Sequence, residues 1–201
     1  MKQIGLKLLF AGVLLSTLIF FQDIISLVNI DGFEGRFINS QPVNFPVTDT
    51  QNNRKWLSDF KGEYLVLFFG FVQCSTVCPR VMGVLHSFAE IARKESVSQR
   101  ILFVSIDPDR DSPSTIHDYI NSFDSGIQGV KIASRNIVSQ VISQFKGFVN
   151  NSNPVEHSGF VYIIDPDGRL MTIYTDENLN AEVMMKDLKK LKKLYKEKNN
   201  G

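Results

Sequence analysis

The chain has 201 residues, of which 43% are hydrophobic and 21% are charged, and this describes one globular domain with an appended segment. Its net charge of +1 provides no broad positive field, and basic and aromatic residues are not interleaved along the chain. These features exclude a nucleic-acid-binding protein and predict a single hydrophobic core.

The first 25 residues differ from this average. Lys2 and Lys7 precede a continuous run of apolar and small residues over 8–21. If Lys7 reaches the lipid headgroups, residues 4–21 approach the roughly 20 residues that a spanning helix needs. Because the run ends without the small residues of a cleavage site, we expect an uncleaved signal anchor over residues 1–25 rather than a helix of the domain. The lysines place the N-terminus in the cytoplasm and the rest of the chain on the extracytoplasmic, periplasmic side.

Residues 26–35 mix apolar, glycine and acidic residues, and this composition predicts a tether between the membrane and a domain over residues 36–201. Val43, Phe45 and Val47 alternate with polar neighbours ahead of a polar turn at 51–53. This pattern predicts an N-terminal hairpin at the edge of the sheet.

Short, dense apolar runs predict the core strands, which we place at 64–71, 101–106, 130–133, 160–164 and 170–174. Apolar residues at helical spacing predict helices around 81–91, 116–123, 137–145 and 184–195. Strands and helices that alternate in this way predict a three-layer α/β domain, and a thioredoxin-like fold fits the order.

The chain has two cysteines, Cys74 and Cys78, directly after the first core strand and ahead of a predicted helix. Pro79 suits the first helical turn, where its missing N–H costs nothing. Both sulfurs are therefore expected at the start of a helix, where backbone N–H groups and the dipole favour thiolate over thiol.

Three interpretations of this pair remain open. A structural disulfide is ordinary in an exported domain, but closing so short a loop restrains the unfolded chain little. A redox-active thiol pair is possible, although the usual spacing has two residues between the cysteines and this has three. A metal site is the third interpretation. Two thiolates and one imidazole suit copper, because soft sulfur selects Cu(I) and mixed nitrogen and sulfur donors hold Cu(II).

The third ligand has to come from elsewhere in the chain. His86 would lie about 12 Å along the helix from Cys78, too far to share an ion. His117 follows the helix-opening pair Ser112-Pro113, where a surface histidine is ordinary. His157 lies in a polar segment, 150–158, that we interpret as a loop just before a core strand. A solvated loop histidine is common there, but such a residue can also approach the cysteine loop.

Three segments resemble the Sco/SenC family in order and spacing, and together they cover about residues 36 to 195. They are FGFVQCSTVCP from Phe69 to Pro79, SIDPDRDSP from Ser105 to Pro113, and VEHS from Val155 to Ser158 followed by YIIDPDG from Tyr162 to Gly168. The resemblance implies a thioredoxin-like fold, an N-terminal anchor, and copper bound by Cys74, Cys78 and His157.

The resemblance also implies a function. The family delivers copper to the binuclear copper centre of cytochrome c oxidase, or keeps the cysteines of that centre reduced. The implied partner is the copper-receiving subunit of the oxidase or another copper or thiol protein. The alternative is a membrane-anchored thiol-disulfide oxidoreductase, or a peroxide-reducing relative, which would use Cys74 and Cys78 without metal. Whether the chain is an enzyme stays open at this point.

Some features near the motifs carry competing interpretations. The family commonly has Thr-His-Cys-Pro where this chain has Val72-Gln73-Cys74-Ser75. The acidic cluster 107–111 could supply calcium ligands, a residue behind the copper site, or only a helix cap at Asp111 or Ser112. Met82 could lend a thioether, but a methionine that fills the core is the commoner role.

Overall fold

The computed structural model describes residues 32–41, 43–123, 126–150 and 156–199. The compact unit that contains the fold begins at Glu34. In these ranges no helix combines the length and the apolar character that crossing a bilayer would take. The predicted anchor, residues 1–25, and the first part of the predicted tether lie outside the described residues.

Strands and helices alternate through the described part of the chain. The strands are β1 (Arg36–Phe37), β2 (Pro46–Asp49), β3 (Arg54–Trp56), β4 (Leu65–Gly70), β5 (Arg100–Ser105), β6 (Ile127–Ile132), β7 (Val149–Asn150), β8 (Glu156–His157), β9 (Val161–Ile164) and β10 (Leu170–Tyr174). The helices are α1 (Val77–Lys94), α2 (Pro113–Asn121), α3 (Val138–Gln144) and α4 (Ala181–Asn199), with 3-10 turns at Leu57–Phe60 and Arg135–Ile137.

Eight of these strands form one mixed sheet, in the order β1-β10-β9-β4-β5-β6-β2-β3. β4, β5 and β6 run parallel, and the flanking strands pair antiparallel. All six residues of β4 are buried, as expected for a central strand that is covered on both faces. The five predicted core strands all belong to this sheet, so the predicted α/β class is confirmed.

Helices cover both faces of the sheet. On one face Phe145, directly after α3, packs in an aromatic cluster, with its ring centroid 5.0 Å from Phe69 and 5.2 Å from Tyr162. On the other face α1 brings Cys78 against Gly70 of β4, and α4 packs against α1. Met82 of α1 is fully buried, as expected of a methionine that fills the core.

The predicted edge hairpin is present as β2 and β3, with Thr48 opposite Arg54. The Asp49 carboxylate closes its turn by accepting the N–H groups of Gln51 (2.9 Å) and Asn53 (2.8 Å). Regular pairing starts only at Pro46, because Val43 and Phe45 turn into the core ahead of the strand.

A buried carboxylate fastens the beginning of the compact unit. Asp187 of α4 accepts hydrogen bonds from the N–H groups of Glu34 (3.1 Å) and Gly35 (2.9 Å) and from the Tyr174 hydroxyl (2.9 Å). The chain is therefore fixed to α4 before β1 begins.

Candidate metal centre

The two cysteines lie on either side of the start of α1. Cys74 is half-buried in the loop between β4 and α1, and its N–H donates to the Phe71 carbonyl at 3.2 Å. Cys78 is the second residue of α1 and is fully buried. The predicted placement at a helix start is confirmed, although only Cys78 has helical backbone.

His157 lies on a strand, and the predicted loop assignment is wrong at this position. β8 pairs antiparallel with β7, with His157 opposite Val149, and the Ser158 N–H donates to the Phe148 carbonyl at 3.0 Å. A composition rich in Asn, Ser and Pro indicates a loop, but the pairing is decided by a partner strand that the local composition does not reveal.

The fold brings the three predicted ligands together. Cys78 Sγ lies 3.5 Å from His157 Nε2, and the Cys74, Cys78 and His157 donor atoms all lie within 4.8 Å of one another. Metal bonds to sulfur and imidazole nitrogen are roughly 2.0–2.3 Å long, so one ion reaches all three after small side-chain adjustments. Within the described ranges, no other set of three His, Cys, Asp or Glu side chains converges in this way.

The imidazole has the tautomer that a ligand needs. His157 Nδ1 lies 3.0 Å from the Ser158 carbonyl oxygen, which can only accept a hydrogen bond. Nδ1 therefore carries a proton, and in the neutral imidazole the lone pair of Nε2 faces the sulfurs. Fixing the outer nitrogen in this way is the usual means of orienting a metal-binding histidine.

Aromatic rings enclose the imidazole on its inner side. The Phe71 ring meets His157 edge-on at 5.5 Å between centroids, and Phe68 lies at 6.2 Å. Gly70 provides the room for sulfur, since a Cβ there would lie 2.9 Å from Cys78 Sγ and 2.8 Å from the Phe103 ring. The donors therefore sit at the edge of the core, with Cys74 on the solvent side.

The reduced cysteines share their protons unequally. The pKa of Cys74 lies well below its ordinary value, mainly because the Cys78 side chain donates to its sulfur, with further help from the Cys78 N–H at 3.5 Å. The pKa of Cys78 is raised by the same sulfur–sulfur hydrogen bond and by burial. The pair therefore holds one proton on Cys78 and a thiolate on Cys74 across the neutral range.

This asymmetry predicts the pH dependence of alkylation in the reduced, metal-free protein. Cys74 has lost its proton well below its ordinary pKa, so its rate with iodoacetamide should be nearly flat from pH 6 to 8. A thiol with an ordinary pKa gains roughly tenfold per unit over that range. Mass spectrometry of the labelled peptides measures the rate at each cysteine. Cys78→Ala removes the donor, and the rate at Cys74 in that variant should climb with pH. A tenfold rise per unit in the wild type would contradict the assignment.

One member of the acidic cluster 107–111, Asp111, contacts the segment that leads into the cysteine loop. Asp111 is buried, and its Oδ2 accepts from the Ser105 hydroxyl at 2.5 Å and from the Val72 N–H at 3.1 Å. Burial raises the pKa of Asp111. The geometry therefore ties the end of β5 to the segment that leads into Cys74.

The other members of the cluster do not form a calcium site. Both carboxylate oxygens of Asp107 face guanidinium groups, one from Arg110 (2.5 Å) and one from Arg135 (2.5 Å). Asp109 also pairs with Arg135. The predicted helix cap is present, since the Ser112 hydroxyl accepts the Thr115 N–H at 3.1 Å.

The remaining histidines lie away from the donors, as predicted. His86 is exposed on α1. His117 is exposed on α2, where its ring lies within hydrogen-bond distance of the Asn121 amide. Two residues that shape the site gave no sequence signal. Gly70 and Gly159 matter for the space they leave free, which only the packed structure reveals.

Comparison with known proteins identifies proteins that are similar to this chain in sequence and in structure. The yeast (Saccharomyces cerevisiae) mitochondrial protein SCO2 is 29% identical over 63% of this chain, and the match spans 45% of that protein. The structure of a SCO1/SenC family lipoprotein from Bacillus anthracis superposes with a TM-score of 0.71 at 25% identity, covering 77% of this chain and 96% of that one. Apo Sco1 from Thermus thermophilus superposes with a TM-score of 0.68 at 26% identity, covering 81% and 99%.

The family model for SCO1/SenC matches residues 37–193, which include both cysteines, the acidic cluster and His157. This match takes in the loop between β4 and α1, the start of α1 and the strand β8, which carry Cys74, Cys78 and His157. The chain belongs to the SCO1/SenC family.

Proposed function

We propose that this chain is a copper-binding metallochaperone that holds one copper ion with Cys74, Cys78 and His157. The convergence of these three donors carries the proposal. Two sulfurs suit Cu(I), and the added imidazole nitrogen lets the same set hold Cu(II). A structural zinc site would need a fourth ligand, and among the described residues only these three converge.

We infer that the receiving partner is the copper-binding subunit of cytochrome c oxidase, or another copper or thiol protein. Membership of the SCO1/SenC family supports this choice of partner. Cys74 and His157 are half-buried while Cys78 is fully buried, so an incoming ligand would meet one of the first two donors before Cys78. Transfer by ligand exchange would then begin at Cys74 or His157.

The second candidate function is thiol-disulfide exchange without metal. The stabilised thiolate of Cys74 favours it, since thiolates are the attacking species in exchange. Cys74 would attack a partner disulfide, and Cys78 would release the reduced partner by closing the Cys74–Cys78 bond. Two electrons and the Cys78 proton would pass to the partner, and its second sulfur would take a proton from water. This route has no need of His157.

The proposed function is tested by copper uptake in two redox states. The reduced protein should bind one equivalent of copper, and the oxidised protein should bind none, because the disulfide removes both thiolates. Elemental analysis after gel filtration gives the stoichiometry, and the absorption of sulfur-to-Cu(II) charge transfer reports the donors. Reduced protein without stoichiometric copper would reject the proposal. Reduction of a disulfide substrate by metal-free protein, retained in His157→Ala, would then favour thiol exchange.

We further propose that residues 1–25 anchor the chain by a single membrane pass, that 26–35 form the tether, and that 36–201 act as the copper-binding domain on the periplasmic side. The lysines ahead of the apolar run support this orientation. Membrane fractionation and protease accessibility of the full chain test it. Recovery of the full chain in the soluble fraction would reject it.

A further inference from the structure

The backbone at Gly159, two residues after His157, lies unusually close to the first turn of α1. A Cβ built at Gly159 would lie 2.4 Å from Val77 Cγ1, a distance that cannot be accommodated without movement. Gly159 is buried, and Val77 is the first residue of α1, directly before Cys78. The backbone next to the imidazole and the helix turn that holds the buried sulfur are therefore in direct contact.

The clash at Gly159 has a single source. The next nearest atoms to the Cβ position are Asp176 Oδ1 at 3.4 Å and Val81 Cγ2 at 3.7 Å, both ordinary contact distances. Asp176 forms an exposed ion pair with Arg80, which adds little free energy. One methyl group of Val77 therefore sets how closely the strand can approach the helix.

The backbone from His157 to Gly159, just after β8, has little freedom to absorb a displacement. Consecutive Cα atoms are 3.8 Å apart, so Gly159 lies only two short steps from His157. Two hydrogen bonds hold Ser158 to Phe148: the Ser158 N–H donates to the Phe148 carbonyl (3.0 Å), and the Ser158 hydroxyl accepts the Phe148 N–H (3.1 Å). The Ser158 carbonyl also orients His157 Nδ1. A shift at Gly159 is therefore passed on to the imidazole.

We propose that Gly159 is a positioning residue of the metal centre. Because Gly159 has no side chain, the segment that follows β8 packs directly against Val77. This contact places His157 Nε2 at 3.5 Å from Cys78 Sγ. The inference rests on the proposed copper-binding function and adds a residue that binds no metal itself. A methyl group at position 159 lifts the strand from the helix and withdraws the imidazole from the sulfurs.

The test uses Gly159→Ala, Val77→Ala, the double variant and a matched control. Gly83→Ala is the control, because a Cβ at this α1 position meets nothing within 4 Å. Circular dichroism checks the fold of each variant. Copper affinity is measured by competition with a chelator, and nitrogen coordination is read from the electron paramagnetic resonance of the Cu(II) form. In the metal-free protein, carbethoxylation of His157 reports how accessible its ring is.

Gly159→Ala should lower copper affinity by roughly 10–100-fold, the range found when the supports of a metal ligand are removed. It should also weaken the nitrogen coupling and speed carbethoxylation of His157. The double variant should bind copper within about threefold of Val77→Ala alone, since the clashing methyl is gone. Gly83→Ala should match the wild type.

Wild-type affinity in Gly159→Ala would overturn the inference. A double variant that binds at least tenfold more weakly than Val77→Ala would also overturn it, and this comparison holds even if Gly159→Ala alone fails to fold. A wild type that binds no copper would instead reject the proposed function, while the carbethoxylation of metal-free protein would still test the positioning of His157.

Discussion

His157→Ala should lower copper affinity by more than about 100-fold while leaving the fold intact. The imidazole would be the only nitrogen donor among the three converging side chains. Removing a residue that merely orients a metal ligand lowers metal affinity by roughly 10–100-fold. The loss of the ligand itself should therefore lower copper affinity by at least the upper end of that range. His157 is half-buried on a two-residue strand outside the main sheet, and truncating it removes little core packing. Chelator competition under reducing conditions measures the affinity.

His117→Ala is the matched control. His117 is exposed on α2 and is not one of the three converging donors, so its removal should change copper affinity less than twofold. The Cu(II) spectrum separates the two variants further. His157→Ala should lose nitrogen coupling, and His117→Ala should keep it. If His157→Ala binds copper as tightly as His117→Ala, the imidazole is not a ligand and thiol exchange becomes the better account of the site.

The sequence predicted the elements whose signals are local. β4 and β5 read as dense apolar runs because both of their faces are covered, and they appear within a residue of their predicted bounds. The cysteine pair was located at a helix start because a buried strand precedes it and Pro79 follows it. In each case neighbouring residues carry the information.

Features that depend on pairing with another part of the chain were not predictable. The β7–β8 pairing places His157 on a strand, although its own segment has the composition of a loop. In the sequence Asp111 is a candidate helix cap, but in the structure its carboxylate accepts a hydrogen bond from the N–H of Val72, 39 positions earlier in the chain. The close approach at Gly159 depends on Val77, which lies more than eighty residues away. Convergence of the donors could be inferred only through resemblance to a family.

The strongest effect on stability is expected at Asp111. Asp111→Ala should lower the free energy of unfolding by about 2–4 kcal/mol, because the Ser105 hydroxyl and the Val72 N–H both lose their acceptor. Ser105 is fully buried, so water cannot easily replace the lost partner. Copper affinity should fall as well, since Val72 opens the loop that carries Cys74. Urea unfolding of the reduced, metal-free protein measures the loss of stability.

Asp109→Ala is the matched control for this change. Asp109 is an exposed acid of the same loop, paired only at the surface with Arg135, and its loss should cost less than about 1 kcal/mol. Equal losses of unfolding free energy in Asp111→Ala and Asp109→Ala would show that the buried hydrogen bonds of Asp111 do not hold the loop.

Asp111→Asn separates the hydrogen bonds from the charge. Its amide oxygen has two lone pairs and can take the place of Oδ2 as the acceptor of both hydrogen bonds, so Asp111→Asn should cost less unfolding free energy than Asp111→Ala. Burial raises the pKa of Asp111 above its unfolded value of 3.8. The folded state therefore binds the proton more tightly, and this contribution to stability is complete below the unfolded pKa and is lost as pH rises through the folded pKa. The stability of the wild type relative to Asp111→Asn should accordingly fall as pH rises above about 4. A difference that instead grew with pH would mean that folding stabilises the charged form of Asp111, and would contradict the raised pKa.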